Sequence, residues 1–576
     1  MATLLATGTA AAEDEDAKLA AFFRRYLDET MKHAPATATR YGDHRYDHML
    51  DDLSPQARRE AVARLQKAAA DLPRAASYAK LSRAEQIDYE ILAHDLTRSL
   101  WLDANTRPYE QDPRVYNEIL SDSIFLMLTQ STTAKERNLQ NAIARIRQIP
   151  RVVEAAKASL KDPPKVWLET GVRQNLGAIH FYEKGIFEVT GESPQGSELQ
   201  AACRAIIPVL RDYQSFLEKE LVSKATGDWR LGKEKFAQKL DLELDAGVTA
   251  EQVLRDAEAE AERVEREMVV VARQLWSKYF PKQPLPPDTA EGRRSLVREV
   301  VGAVSKEHGK VEDLVQDAKA TIARIKQFIT DNDILRLPEP DRCKVIEMPE
   351  FQRGFSVAYL NPAPPLDPAS PSHYAVSPPP KDWDTRRVQT YLQEYNRHML
   401  QVLTIHEAYP GHYVQLEYGN RHPSQIRRVL YSGVFAEGWA VYTEQMMLDQ
   451  GYGSGDLALR LNQLKFYLRT AVNAILDYKM HCANMTDEEA MQLLVDRAFQ
   501  SEAEAVGKIV RAKLSSCQLS TYFVGRMAFY SLRRVIQEEQ GDKFDLGRYH
   551  EAVLDHGTLP VKYLPELVRE RLKRPR

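Results

Sequence analysis

The chain has 576 residues, 43% hydrophobic and 28% charged, the composition of a globular protein long enough to bury its cores without disulfides. Its 78 Lys and Arg stand against 82 Asp and Glu, a formal net charge of -4, so charge argues against nucleic acid or an anionic membrane surface as a partner. No stretch reaches the roughly 18 apolar residues of a membrane-spanning helix, and Cys203, Cys343, Cys482 and Cys517 are far apart, without C-x-x-C spacing.

Residues 2–12, ATLLATGTAAA, are small and apolar, and the acidic run Glu13–Asp16 follows. They read as the end of a signal peptide without its basic n-region. Two expectations follow: an exported chain, periplasmic or secreted, with residues 1–15 as a leader remnant, or a cytoplasmic chain with a disordered start. From 16 to 335 helical signals dominate. In 136–149, Leu139, Ile143 and Ile146 recur at helical spacing, and Pro150 stops the run. In 249–276, Thr249 and Gln252 form a capping-box pattern ahead of the stripe Val253, Ala257, Ala261, Val264 and Met268. Such stripes are core faces and carry no chemistry. No fixed-period repeat is found, which argues against a regular solenoid.

Between 336 and 380 the composition changes. Lys344–Met348 and Phe355–Leu360 are short runs of β-formers, and eight prolines fall between Pro362 and Pro380. No long helix accommodates them, so a small β element near 340–376 and an ordered loop are expected. From 381 to 576 the helical pattern resumes, with a second capping box at Thr486 and Glu489 ahead of Leu493, Leu494 and Phe499. The expected fold is mainly α: a large, multi-helix, two-lobed body whose zincin-like catalytic helices lie in the C-terminal part.

The chemistry concentrates in that last part. Segment 402–417 reads VLTIHEAYPGHYVQLE. His406 and Glu407 end an apolar run, and His412 follows. Catalytic zinc is held by His and carboxylate groups with one position left open. A Glu beside the first His can take a proton from water, whose pKa the metal lowers. The usual spacing is H-E-x-x-H, because i and i+4 share a helix face. Here the second His is at i+6, roughly 120° around an undisturbed helix. Pro410 and Gly411 lie between. Pro removes a backbone donor and Gly tolerates unusual angles, so a bend at 409–411 would return His412 to the His406 face. The third ligand must come from elsewhere. In 434–448, VFAEGWAVYTEQMML, Glu437 and Glu444 are two helical turns apart on one face. Two carboxylates on a partly apolar helix are costly unless paired or metal-bound. Glu437 is the candidate ligand, and Glu444 the acceptor for the N–H of a ligand His. The bland alternative is a helix end capped by Pro-Gly and a solvated pair of Glu.

HEAYPGH at 406–412, EGWAVYTE at 437–444 and YHEAVLDHGTLP at 549–560 resemble the domain of unknown function 885 family, which is similar to gluzincin-type zinc metallopeptidases. ATRYGDHRYDH at 38–48 and IDYEIL at 87–92 extend the resemblance to about 25–570. It implies zinc on His406, His412 and Glu437, Glu407 as general base, and a mainly helical body enclosing a cleft. Where the family tends to carry a second His directly after its HEAYPGH string, this chain has Tyr413. The family's Tyr a few residues before a Gly is matched by Tyr522 and Gly525; Arg533, Arg534, His550 and His556 follow. An amide hydrolase needs a donor to the developing oxyanion. Tyr442, Tyr522 and His550 are the candidates. Arg533 is a candidate for holding a substrate carboxylate, and the strand 355–359, through Tyr359, for pairing with extended substrate backbone. Each has an ordinary structural alternative.

The function expected is zinc-dependent hydrolysis of amide bonds in short peptides. The alternatives are hydrolysis of a non-peptide amide, and a non-catalytic helical binding protein with a residual metal site. Other enzyme classes have little support. There is no G-x-x-x-x-G-K-[ST] loop, no G-x-S-x-G elbow and no strand-borne G-x-G-x-x-G.

Overall fold

The computed structural model describes residues 2–348, 358–381 and 383–574. The fold is mainly α, with one small sheet. Two compact units divide the chain. The first comprises Met1–Trp229, Ala363–Ser370 and Pro423–Tyr431; the second comprises Arg230–Pro362, Pro371–His422 and Ser432–Arg576.

The first unit is built from amphipathic helices, among them α1 (Ala2–His33), α2 (Pro55–Ala75) and α3 (Arg83–Asn105). Residues 2–12, the candidate leader, run into α1. Ser54 and Ser82 cap α2 and α3 by accepting from the amides of Ala57 and Glu85. Leu139, Ile143 and Ile146 are buried on helix Lys135–Ile146. That helix ends before Pro150, which instead sits in the first turn of helix Ile149–Ser159, where its missing N–H has no partner to lose. The two late segments are tied in by polar contacts. The Asp367 carboxylate accepts from the Thr132 amide at 3.0 Å, and Arg427 Nε donates to Asp88 at 2.5 Å with both side chains buried.

The second unit holds the motifs. Its longest early helix is α4 (Ala250–Tyr279). Thr249 caps it through the Gln252 amide, while at Thr486 and Glu489 both halves of the capping box are formed. Val253, Ala257, Ala261, Val264 and Met268 are all buried. After α5 (Leu314–Asp331) come β1 (Cys343–Glu347), β2 (Ala358–Asn361) and β3 (Ser372–Val376), in the order β1-β3-β2. β1 runs parallel to β3, and β2 antiparallel to it with Tyr359 opposite Ala375. The expected run 355–360 is described only from Ala358 onward; its first three residues lie outside the described residues. β3 sits inside the proline-rich segment, at the end of the expected β element near 340–376, where no run of β-formers had been singled out.

The helices that follow include α6 (Arg397–Glu407), α7 (His412–Asn420), α8 (Gly433–Asp449), α9 (Leu457–Cys482), α10 (Glu502–Leu514), α11 (Gln518–Gln540) and α12 (Leu546–Leu554). α8 is buried almost all round, as a helix enclosed by neighbours must be. It meets α11 at two glycines: a Cβ on Gly438 would lie 2.4 Å from Gly525 Cα, and one on Gly525 would lie 2.0 Å from the Val434 carbonyl. Only glycine at both positions permits this approach. Among the described residues no helix is long and apolar enough to cross a membrane, and all four cysteines are free.

Candidate metal centre

α6 is capped by Asn396, whose side chain accepts from the amides of His398 and Met399, and it buries Val402, Leu403 and Ile405. Its final turn delivers His406 and Glu407. The helix then breaks at the expected place. The Ala408 and Tyr409 amides both reach back to the Thr404 carbonyl, at 3.0 and 3.3 Å, and the Gly411 amide reaches the Ile405 carbonyl at 3.0 Å. The chain folds over the end of α6 so closely that a Cβ at Gly411 would stand 1.9 Å from the His406 oxygen. α7 starts at His412. The turn is pinned from α8, where Trp439 Nε1 donates to the Pro410 carbonyl at 2.8 Å. It is also pinned from below: the Tyr409 and Tyr413 hydroxyls both donate to the Asp341 carboxylate, at 2.7 and 2.9 Å. Tyr413, the departure from the family pattern, is therefore a buried anchor of this turn.

The bend brings the two imidazoles together, with ring centroids 4.8 Å apart and planes at 89°. Both Nε2 atoms face Glu437 of α8. Its Oε2 lies 3.4 Å from His412 Nε2 and 3.8 Å from His406 Nε2. One ligand atom from each of the three residues falls within a 4.8 Å group. These separations are long for hydrogen bonds, and Glu437 Oε2 is buried without a hydrogen-bond partner. Ligand atoms about 2.0 Å from one tetrahedral ion would stand roughly 3.3 Å apart. Two imidazoles and one orphaned carboxylate oxygen at these spacings fit a zinc ion.

Glu444, two turns along α8, is fully buried, and its Oε1 is 2.7 Å from His406 Nδ1. Burial pulls His406 down to about 3, with His412 adding to the effect, and burial pushes Glu444 well above the usual carboxylate range. A lone pair presented at Nε2 requires the ring proton on Nδ1, donated to Glu444. Burial also pushes Glu437 up, but His412 and His406 outweigh it and hold the carboxyl below its ordinary value. Burial likewise opposes protonation of His412, which the adjoining Glu437 and Glu407 carboxylates reverse.

Glu407 stands beside this group. Burial raises its carboxyl to about 7, and its Oε2 accepts from the Leu360 amide of β2 at 3.1 Å. β2 is an edge strand, so the strand expected to meet substrate touches the candidate base directly. Tyr359 is half-buried on the opposite face of β2 from Leu360.

The oxyanion candidates separate. Burial raises the Tyr522 hydroxyl of α11 to about 12, and the nearby Glu437 carboxylate adds to the effect. Its hydroxyl accepts from Arg511 at 3.0 Å and Gln518 at 3.2 Å, which leaves its own proton directed toward Glu437, whose carboxyl it helps to hold down. Tyr442 projects about 140° around α8 from Glu437. It is fully buried and donates to His550 Nε2 at 2.7 Å. His550 Nδ1 bonds the Ile334 carbonyl at 2.8 Å, and a carbonyl only accepts, so Nδ1 carries the ring proton and Nε2 is the acceptor. Neither Tyr442 nor His550 has a proton left for an oxyanion; both expectations are corrected on that ground. Arg533 joins the same buried pair, 3.4 Å from the Tyr442 hydroxyl and roughly 16 Å along α11 from Tyr522, which removes the reason for placing a substrate carboxylate there. Sequence reasoning missed the Trp439 hook, the Asp341 anchor and the Leu360 amide. The Trp beside Gly438 was visible, but nothing local tells what its ring reaches.

The family described as "Bacterial protein of unknown function (DUF885)" matches residues 35–568. A solved structure from Shewanella oneidensis, described as a lipoprotein of unknown function, is 30% identical, covering 96% of this chain and 99% of its own, with a TM-score of 0.80. Another from Colwellia psychrerythraea, also described as a lipoprotein, is 20% identical over 97% of this chain and 99% of its own, with a TM-score of 0.78, and shows the fold alone. No curated protein matches the chain. With the family pattern running through nearly the whole chain, both strings of the candidate centre included, the protein belongs to the DUF885 family of bacterial proteins of unknown function.

Proposed function

We propose that this protein is a zinc-dependent hydrolase of amide bonds, of the gluzincin type, acting on short peptides. The observation that carries the reading is the convergence of His406, His412 and the orphaned Glu437 oxygen, with the Glu407 carboxylate alongside. Zinc held by these three residues would polarise a substrate carbonyl and make hydroxide available near neutral pH. The rest is the work of the chain. Glu407 takes a proton from the attacking water and later gives it to the leaving amine. A carboxyl that burial brings to about 7 suits both transfers. The Leu360 amide fixes its Oε2. Tyr522 offers its hydroxyl proton to the oxygen that becomes negative. The edge strand β2 supplies backbone groups for an extended substrate, with Tyr359 flanking it.

Elemental analysis tests the metal. The protein should carry close to one zinc, and His406→Ala should carry none. Glu407→Gln tests the chemistry: metal stays and cleavage of a peptide panel disappears. Bound zinc with no hydrolysis of any peptide or acylated amino acid would sink the reading. We also place the protein outside the cytoplasm, on the strength of the Shewanella oneidensis relative described as a lipoprotein; recovery of the native protein only in the soluble cytoplasmic fraction would refute that.

A further inference from the structure

Beside Glu437 the second unit gathers three cations that the mechanism does not use. α10 presents Glu504, Lys508 and Arg511 along one face, at helical spacing. α9 contributes Arg469, whose guanidinium lies 4.5 Å over the Phe466 ring, itself packed against His406. Only one carboxylate is in direct contact with the trio among the described residues. That carboxylate, Glu504, is shared: one oxygen lies 3.5 Å from Arg469 and the other accepts from the Tyr395 hydroxyl at 2.8 Å. Arg511 is spent on neutral partners, the Gln518 carbonyl and the Tyr522 hydroxyl.

Lys508 is the informative member. It is 8% exposed, on a side chain that is almost never buried unless paired. Among the described residues it makes no hydrogen bond and no ion pair. Arg469 and Arg511 are near enough to press on its charge, and with burial they drive its amine well below the ordinary value, while Glu504 and Glu437 only partly offset this. Such a group is costly to keep in place. A methionine or leucine would fill the volume without the charge. The missing element is an anion.

We propose that Lys508, flanked by Arg469 and Arg511, is the subsite for a substrate carboxylate next to the metal centre, so the hydrolase acts on amides whose leaving amine bears a free carboxylate. The inference rests on the amide-hydrolase reading of the neighbouring residues. A planar carboxylate would take the Lys508 amine and an Arg511 N–H together, and its charge would relieve the like-charge crowding. Tyr522, bonded to Arg511, then links the subsite to the oxyanion position, so a substrate lacking the carboxylate would be both weakly held and poorly aligned.

Binding measured without turnover tests this. N-acetyl-phenylalanine and its α-amide are titrated calorimetrically into the full chain, as purified and after chelation. A third probe, N-acetyl-glutamic acid α-amide, carries its carboxylate only on the side chain, so it separates a side-chain source from a chain-terminal one. The acid should bind at least tenfold more tightly than the amide. Lys508→Met should bring that ratio close to one, and Lys508→Arg should retain part of it. Equal binding of acid and amide, or a preference that survives Lys508→Met, overturns the subsite. If circular dichroism shows that Lys508→Met does not fold, the exposed Arg511→Gln takes its place, and an unchanged preference in that variant overturns it equally. Acid selectivity lost with Lys508, in a protein that cleaves no amide, would leave the subsite standing and remove the hydrolase reading.

Discussion

Glu444 and Tyr522 act through single atoms, and single substitutions isolate them. Glu444 has no route to the substrate; it holds His406 by Nδ1. Carboxylates in that position tune affinity without supplying a ligand bond, so Glu444→Ala should weaken zinc binding about 10- to 100-fold without abolishing it. Competition against a calibrated chelator reads this directly, with Glu444→Gln as the control that keeps an acceptor in the same volume. An affinity unchanged in Glu444→Ala would remove the carboxylate from the design. Tyr522 and Tyr442 are separated by hydrogen bonding alone. Tyr522→Phe should lower kcat by roughly a hundredfold with KM little changed, as loss of an oxyanion donor does. Tyr442→Phe should leave kcat near wild type and destabilise the fold by about 1–3 kcal/mol, because His550 Nε2 is buried and would lose its donor. The reverse pattern in steady-state kinetics and urea melts would exchange their roles.

At the scale of elements, the site depends on how α6 ends. A helix continued through 412 would carry the second imidazole about 120° away from the first. The observed turn needs glycine at 411, where a Cβ would sit 1.9 Å from the His406 oxygen. Gly411→Ala should therefore open the turn, cost about 3 kcal/mol or more, and drop zinc stoichiometry well below one even in protein that remains helical. A stable, fully loaded Gly411→Ala would contradict the close approach. This break was legible in the sequence because its cause is local: Pro410 and Gly411 alter their own backbone. So were the stripe on α4 and the spacing of Glu437 and Glu444, which follow from helical period. The Trp439 hook was not, because a donor 29 residues from its acceptor leaves no periodic trace. β3 falls within the expected β element near 340–376 but was not singled out as a strand, for a related reason. Its residues 372–376 lie among prolines that mark a loop, and they form a strand only because β1 and β2 flank them on both sides. The misplaced oxyanion candidates have the same origin: spacing told which face of α8 Tyr442 occupies, but His550 became its partner only through tertiary packing.

Across the whole molecule, neither unit is continuous in sequence. Residues Ala363–Ser370 and Pro423–Tyr431 belong to the first unit, although the segments around them build the metal centre in the second. Composition marked the proline-rich stretch but carried no sign of this, since the contacts that define it, such as Asp367 with Thr132, join residues 235 apart. The centre itself is assembled from α6, α7 and α8, all in the second unit, with β2 against the candidate base. An ion that binds only the folded arrangement stabilises it by mass action, by about 2.7 kcal/mol when free zinc is a hundredfold above Kd. That energy must appear where the ligands are. Hydrogen exchange followed by mass spectrometry should therefore show zinc-dependent slowing in peptides spanning 404–412 and 433–444. Chelation should reverse it, and His406→Ala should show none, because the two remaining donors cannot hold the ion tightly. Slowing at those peptides that persists in His406→Ala would mean that zinc acts elsewhere. No slowing in the parent protein would mean that the three side chains converge for a structural reason, with the orphaned Glu437 oxygen left unexplained.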